Sequence, residues 1–546
     1  MAKKGHKYIF VIGGVMSGVG KGVATSSIGL LLQEHGYKVN LVKIDPYLNV
    51  DAGTMNPTEH GEVFVLRSGL ETDQDMGNYE RFLNRSLGPE DYMTSGMIYK
   101  TVIENERALK YGGRFVDADH VREEIVDRIL RSAETGKTDI TVVEIGGTIG
   151  DYQNVMFMEA ARVIKIRNPQ DVQFILVSYL PIPGSIGEMK SKPTQNAIKQ
   201  LNAVGIQADF IIARGPAPVD QKRKEKIAFT CNVPPDHVIA APDVSSIYDV
   251  PLNFEKDNLG RILLKALHLS GKKKPDFHEW KKFVEKTKIT KPEVQIGIVG
   301  KYFDTGDYVL SDAYLSVIEA LKFSAAEVGV KAKIDWINAK DFQNGKGVNA
   351  LKKYDGILVP GGFGETGIEG KIHAIRYARE HKIPYFGLCY GMQLAVIEVA
   401  RHVAGIKEAH TVEINPATEH PIIDVMPEQK DLIAKGDYGG TMRLGVYPAE
   451  LKKGTIAREA YKKATIEERH RHRYEVNPEY VERLEKAGII FSGTSPDGVL
   501  MEIAELPKSK HPFFLGTQFH PELQARPLSP HPLFTAFLKA ARARAK

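Results

Sequence analysis

The chain has 546 residues, more than one hydrophobic core usually serves, so two large domains are expected. Its 42% hydrophobic and 26% charged residues match a soluble globular protein, and a net charge of +5 spread along the length argues against a nucleic-acid partner. Two cysteines, Cys231 and Cys389, exclude a disulfide framework and fit a reducing compartment. No uncharged apolar run reaches about 18 residues, which argues against a membrane span. The basic, apolar start is broken by glycines and Lys21 and lacks a cleavage pattern, so a cytoplasmic protein is expected.

The first distinctive stretch is Gly13-Gly-Val-Met-Ser17-Gly18-Val19-Gly20-Lys21-Gly22, which follows an apolar run and precedes a helical pattern from Val23 to His35. Glycines let backbone N–H groups converge on a small anion, and the helix N-terminus and Lys21 add positive charge there. The usual phosphate-loop spacing is not quite met, because Gly22 stands where a metal-binding Ser or Thr is normal. If a nucleoside triphosphate and Mg²⁺ bind here, carboxylates elsewhere must hold the metal.

Apolar, β-branched runs at Tyr8 to Ile12, Val39 to Ile44, Ile140 to Ile145, Val172 to Tyr179, Phe210 to Ala213 and Val238 to Ala241 alternate with helical patterns. That alternation predicts an α/β fold, a doubly wound and mostly parallel sheet whose ligands bind beyond the carboxyl ends of the strands. The polar clusters after those strands are therefore the candidate site. Lys43, Asp45 and Asp51 follow the second strand, Glu71-Thr-Asp73-Gln-Asp75 comes next, and Glu144 closes the third run. Asp75 and Glu144 are candidates for the oxygen ligands that Mg²⁺ needs and the loop lacks. Further on, Lys190, Ser191, Lys192, Pro193, Thr194 and Gln195 gather lysines and polar donors at a helix start, a pattern that suits polyphosphate.

The glycine loop, Lys43-Ile-Asp-Pro, Gly53-Thr-Met, His60-Gly-Glu-Val63, Glu71 to Asp75, Glu144-Ile-Gly-Gly-Thr and Lys192-Pro-Thr-Gln195 together resemble the CTP synthase family. The resemblance implies a P-loop NTPase-like synthase domain in which ATP phosphorylates UTP at O4 and ammonia displaces the phosphate. ATP, as co-substrate, would lie against Gly18, Val19, Gly20, Lys21, Gly22, Val23, Lys43, Asp75, Asp243 and Val244. Asp75 and Glu144 would hold Mg²⁺. UTP or the inhibitor CTP would meet Ser17, Asp151, Tyr152, Gln153, the Lys190 to Gln195 segment and Lys226, while His60 and Val63 would lie near an ammonia passage.

From Gly271 to Glu293 a lysine- and proline-containing stretch with Trp280 reads as a solvated connector. The expected division is thus a synthase domain over 1–270, a linker over 271–293 and a second domain over 294–546. A second alternation starts at Val294 to Gly300, with a helical pattern from Asp312 to Val328 and strands at Ala332 to Ile337 and Gly356 to Val359. Pro360-Gly361-Gly362-Phe363-Gly364 then makes a glycine turn. Tyr385-Phe-Gly387-Leu-Cys389-Tyr390-Gly391-Met392-Gln393 is a nucleophile elbow with cysteine for serine, which aims the sulfur at a helix N-terminus. Downstream, Gly516-Thr-Gln-Phe-His520-Pro-Glu522 supplies a base and its orienting carboxylate.

These motifs resemble class I glutamine amidotransferase domains, the second domain of the same family. By that resemblance Cys389 is the nucleophile, His520 the base and then acid, and Glu522 its orienter. Gly362 and Tyr390 would supply the oxyanion hole, and Gly391, Met392, Gln393, Glu413 and Arg473 would complete the glutamine site. Arg469-His-Arg-His-Arg473 reads as a positively charged loop near it.

The chain departs from the family pattern at four places. Thr366 stands for an arginine linked to GTP activation, Phe115 to His120 replaces an apolar interface segment, Gln153 replaces a glutamate facing CTP, and Pro242 replaces a residue beside the adenine. The expected protein is a glutamine-hydrolysing ligase with Mg²⁺, GTP as allosteric activator, CTP as feedback inhibitor and a homotetrameric assembly. The alternatives are another glutamine-dependent ATP amidoligase, or a nucleotide-binding assembly protein without catalysis.

Overall fold

The computed structural model describes residues 5–184, 187–300, 311–435 and 439–545. The chain forms two compact units, one of Met1–Ala52 with Asp75–Val284, the other of Gly53–Gln74 with Glu285–Lys546. Residues 53–74 therefore group with the second unit although they lie early in the sequence.

The first unit is built on a parallel seven-stranded sheet of β1 (Lys7–Gly13), β2 (Val39–Asp45), β3 (Tyr92–Thr94), β4 (Ile140–Ile145), β5 (Val172–Tyr179), β6 (Phe210–Gly215) and β7 (Val238–Pro242). Their order is β3-β2-β4-β1-β5-β6-β7. Every residue of β1 and β2 is buried, as expected of strands covered by helices on both faces. Burial of each large aliphatic side chain stabilises the sheet by about 1.5–3 kcal/mol. The strand order turns back on itself around β1, which opens a crevice at the strand ends just where the glycine loop leads into α1 (Lys21–Glu34). The short edge strand β3 has no alternation of its own and was not legible in the sequence.

The connector is more ordered than its composition predicts. Its lysines at 272–274 are exposed, but residues His278–Thr287 form a helix whose Trp280, Phe283 and Val284 are buried. The Trp280 indole N–H donates to the Tyr248 carbonyl at 2.9 Å and its ring packs on Phe82. One amphipathic turn pattern thus overrides the polar average of the segment.

The second unit carries a nine-stranded sheet: β8 (Glu293–Gly300), β9 (Lys331–Asn338), β10 (Gly356–Val359), β11 (Tyr385–Leu388), β12 (Arg443–Leu451), β13 (Thr465–His472), β14 (Ile490–Thr494), β15 (Met501–Glu505) and β16 (Phe514–Thr517). The order is β9-β8-β10-β11-β16-β15-β14-β12-β13. It is parallel from β9 to β16 and antiparallel beyond, an extension that the sequence pattern did not announce. The segment Arg469 to His472, expected as a loop, is the end of β13. Within the same unit, Phe64–Val65 pairs with Glu71–Thr72 as a small hairpin lying on β12 and β13. The Arg469 guanidinium donates to the Val65 carbonyl at 3.0 Å, and the Val446 N–H donates to the Arg67 carbonyl at 3.1 Å.

Candidate active sites

In the first unit, the loop after β1 turns with Gly18 and Gly20 at positive φ and delivers Lys21 as the first residue of α1. Lys21 Nζ donates to the Gly147 carbonyl at 2.6 Å, just past the end of β4. Lys43 on β2 stands in register with Glu144 on β4, so both side chains leave the sheet together. The Lys43 ammonium lies 3.0 Å from Glu144, 3.5 Å from Asp45, and in direct contact with Asp75 at the start of α2 (Asp75–Leu83). Tyr79, one turn into α2, donates its hydroxyl to Glu144 Oε2 at 2.5 Å. Burial raises the carboxyl groups of Glu144 and Asp45, with Lys43 pulling against it, and burial lowers Lys21 while Glu144 pulls it back.

The missing Ser or Thr of the glycine loop has a steric explanation. A Cβ at Gly22 would lie 2.2 Å from Asp75 Oδ1, so the carboxylate of Asp75 fills the space that a hydroxyl side chain takes in the ordinary loop. Lys21, Lys43, Asp75 and Glu144, four residues expected at the phosphates and metal, thus meet at one place. Tyr79 was missed, although its spacing of four from Asp75 puts it on the same helix face.

Beside the loop, Gly20, Val23, Ile212, Arg214, Pro242 and Phe254 line a narrow cleft. Arg214, next to the last residue of β6, donates to Asp243 Oδ1 at 2.7 Å, which brings Asp243 beside the cleft that Val23 lines, with Val244 half-buried after it. Val19 is buried, whereas Ser17 is exposed on the loop. A separate cavity of about 390 Å³ is lined by Leu180, Glu188, Ser191, Lys222, Arg223 and Lys226. Ser191 precedes α3 (Lys192–Ala203) without a side-chain cap, and Pro193 sits in the helix's first turn. Thr194 is buried with its hydroxyl 2.9 Å from that of Ser178, Gln195 donates to the Ser191 hydroxyl at 3.2 Å, and Lys190 pairs with Glu188 at 2.6 Å. Lys192 is exposed. After β4, Asp151 accepts from the Thr148 N–H at 2.6 Å, but Tyr152 is 94% exposed and Gln153 is exposed as well. The structure therefore gathers Ser191 and Lys226, and leaves Tyr152 and Gln153 on the surface of the single chain.

In the second unit, Cys389 sits between β11 and α4 (Tyr390–His402) with φ 48° and ψ −100°, a strained conformation for a side-chain-bearing residue and the one a nucleophile elbow needs. Close packing requires its glycine neighbour, since a Cβ at Gly391 would lie 2.2 Å from the Val359 carbonyl oxygen. The elbow is pinned by the Cys389 N–H, which donates to the Thr517 carbonyl at 2.6 Å. Cys389 and His520 line one cavity with Val63, Gly362, Phe363 and Arg471. His520 Nδ1 is 2.7 Å from Glu522 Oε1, and among the described residues its buried Nε2 has no hydrogen-bond partner of good geometry. Burial works against the imidazolium, but the charges of Glu522 and of the nearby Cys389 sulfur outweigh it and lift His520 to about 10.

Tyr390 opens α4, and the N–H groups of a helix start favour negative charge. Gly391 and Met392 are buried in that first turn. Glu413 accepts from the Gly364 N–H at 2.8 Å, and Arg473 donates to Gln429 at 2.8 Å. Gln393 is buried and donates to the Tyr474 carbonyl at 2.9 Å. His60, by contrast, is exposed on the short Pro57–His60 turn, while Val63 reaches the cavity wall.

The histidines of the Arg469 to Arg473 run differ from the expectation of a positively charged loop. His470 and His472 are buried, 3.0 Å apart, and His470 lies 3.2 Å from the Arg443 guanidinium, which pairs with Glu502 at 2.8 Å and Glu475 at 3.3 Å. Burial first, then the Arg443 charge, keeps both histidines neutral, well below the usual imidazole range. Strand alternation explains the split. Arg469 and Arg471, which alternate with them, point the other way, and Arg471 donates to Glu71 at 2.7 Å and to the Gly53 carbonyl at 3.2 Å. Arg471, missed as a site residue, carried a signal in that alternation once β13 is recognised as a strand. Among the described residues no helix is long and apolar enough to cross a membrane.

Comparison with known proteins bears on both units. Residues 7–269 match the family model described as CTP synthase N-terminus, and residues 309–540 match that of glutamine amidotransferase class-I. A CTP synthase of Pyrococcus abyssi is 50% identical over 98% of this chain and 98% of its own length. One of Thermococcus gammatolerans is 49% identical over 98% and 99%, and one of the bacterium Halalkalibacterium halodurans is 49% identical over 98% and 99%. With that identity sustained along nearly its whole length, the chain belongs to the CTP synthase family.

Proposed function

We propose that this chain makes CTP from UTP, ATP and glutamine, acting as a ligase that forms a C–N bond in pyrimidine nucleotide synthesis. The observation that carries the reading is the presence in one chain of a strand-end cluster of two lysines and two carboxylates beside a glycine loop, together with a Cys389, His520 and Glu522 constellation in one cavity. Full-length likeness to CTP synthases leaves the other amidoligase and the non-catalytic assembly protein without support.

On this reading Lys21 and Lys43 hold the ATP phosphates and cancel charge as the γ-phosphoryl group moves to O4 of UTP. Transfer of this kind depends on positioning and electrostatics rather than on a protein nucleophile. Asp75 and Glu144 are hard oxygen donors brought to one ammonium group, which suits Mg²⁺. Two protein carboxylates are enough for an ion that retains water and takes substrate phosphates as its remaining ligands. When bound, Mg²⁺ would neutralise the triphosphate. The cleft by Arg214 suits the adenosine of ATP, and the cavity at Ser191 and Lys226 suits the second nucleotide.

At the other site the Cys389 sulfur attacks the glutamine amide carbon, the Gly362 and Tyr390 N–H groups stabilise the oxyanion, and His520 passes its proton to the departing ammonia. His520 then takes a proton from water to release glutamate, with Glu522 holding the ring. Glu413, Gln393 and Arg473 orient the substrate. The exposure of Tyr152 and Gln153 supports nucleotide sites completed by a second subunit, in keeping with a homotetramer, and CTP as feedback inhibitor would share the UTP site. Activation by GTP is carried over from the family with Thr366 as the departure to test. Unpaired cysteines and phosphorylated substrates fit a cytoplasmic enzyme.

The test is CTP formation from UTP, ATP and Mg²⁺ with glutamine or ammonium as nitrogen source, each with and without GTP. Cys389→Ala should abolish the glutamine-supported reaction and retain the ammonium-supported one. If neither nitrogen source gives CTP, the synthase reading fails.

A further inference from the structure

We propose that Gln518 is a further catalytic residue of the glutamine site, donating an amide N–H to the Cys389 sulfur and stabilising it as a thiolate. The inference rests on Cys389 being the nucleophile, and it assigns a task to a side chain that lies two residues before His520.

Gln518 is fully buried and follows β16, where its backbone N–H donates to the Glu502 carbonyl at 2.8 Å. Its side-chain Nε2 lies 3.5 Å from Cys389 Sγ, an ordinary N–H to sulfur distance. The orientation of the amide follows from the chemistry of its neighbours. The Tyr474 carbonyl only accepts, so the group facing it must be the Gln393 NH₂, at 2.9 Å. The second hydrogen of that NH₂ points to Gln518 Oε1 at 3.1 Å. With its oxygen held by Gln393, Gln518 has its NH₂ left for the sulfur. Turning the Gln518 amide over would set two NH₂ groups against each other and an oxygen against the sulfur. A backbone carbonyl thus fixes Gln393, and Gln393 fixes Gln518.

Among the described residues, and besides the His520 imidazole whose charge acts on it, the sulfur meets two polar groups of opposite preference. The Arg471 carbonyl, 3.9 Å away, accepts only from a protonated thiol. The Gln518 N–H, 0.4 Å closer by the difference of the two distances, donates and is strengthened when the sulfur carries charge. The start of α4 acts in the same direction. Gln393, with both hydrogens of its amide engaged, keeps only its carbonyl oxygen for the substrate, so it positions Gln518 as well as facing glutamine.

The pH dependence of iodoacetamide alkylation at Cys389, located by peptide mass spectrometry in the full chain, tests this. In the parent protein Cys389, which lines a cavity, should be labelled ahead of Cys231, which is packed in the core, with loss of glutamine-supported CTP formation. If labelling Cys389 leaves that activity intact, the nucleophile assignment itself fails. Given that result, Gln518→Met removes the donor, and Gln518→Glu keeps the shape but places an acceptor by the sulfur. Both should be alkylated about tenfold more slowly than the parent near pH 6, Gln518→Glu the more so, and should approach the parent rate near pH 9. A merely structural role would lower the rate by a similar factor at every pH. Parent-like profiles in both variants, or a pH-independent loss in whichever folds, would overturn the proposal.

Discussion

At the residue scale, Gly22 separates what sequence spacing reveals from what only packing reveals. The sequence marks the absence of a hydroxyl after Lys21 and points to carboxylates elsewhere as replacements. It does not say that one of them stands in the vacated space, because Asp75 is 53 positions away and nothing local records the approach. The packing makes a sharp prediction. In Gly22→Ala the new methyl would lie 2.2 Å from Asp75 Oδ1, forcing that carboxylate off Lys43 by an ångström or more. Displacement on that scale costs about a hundredfold in rate at a positioned site. CTP formation should fall by about that factor with glutamine and with ammonium alike, while Cys389 stays open to alkylation. Retention of either activity within a few-fold of the parent would show that Asp75 has no fixed part in the synthase reaction.

At the element scale, β13 shows why a strongly charged run was misread. Counted as composition, Arg469 to Arg473 is a basic loop. Placed on a strand, it alternates between arginines that bind the hairpin of residues 64–72 and histidines that enter the buried Arg443 network. Six of the seven strands in the first sheet were legible because they are mostly buried and read as largely apolar, β-branched runs. The antiparallel half of the second sheet was not, since its strands carry buried charges paired across the sheet.

The two neutral histidines give a pH dependence whose sign can be worked out. Their proton affinity is depressed by folding, so the unfolded chain binds the protons first. Stability is therefore complete above the ordinary imidazole value of about 6.5 and is lost as pH falls below it, by ~1.4 kcal/mol per pH unit for each histidine until the folded group titrates. Glu502, raised by burial, acts in the opposite sense, so the comparison must be between variants. Thermal or urea unfolding of a His470→Gln, His472→Gln double variant should show a shallower loss between about pH 6.5 and pH 5 than the parent. Equal slopes would mean that these side chains are protonated in the folded state.

At the scale of the whole molecule, the question is why one chain carries both a glutaminase site and an amidoligase site. The chemistry of ammonia answers it, since NH₃ released into water near neutral pH is protonated and loses the lone pair that must attack the phosphorylated pyrimidine. A chain that passes ammonia internally escapes that equilibrium, whereas a reaction fed from solution does not. The two nitrogen sources should therefore diverge with pH. Ammonium-supported CTP formation at fixed total ammonium should climb about tenfold per pH unit through the range where NH₃ is the minor species, following the free base. Glutamine-supported formation should be far flatter over the same range, since its nitrogen arrives as NH₃ whatever the solution holds. Adding a trap for free ammonia should suppress the first reaction and leave the second. If the glutamine-supported rate rises as steeply as the ammonium-supported one, or is lost to the trap, the nitrogen equilibrates with solvent before it is used. The two sites would then be neighbours on one chain without being coupled.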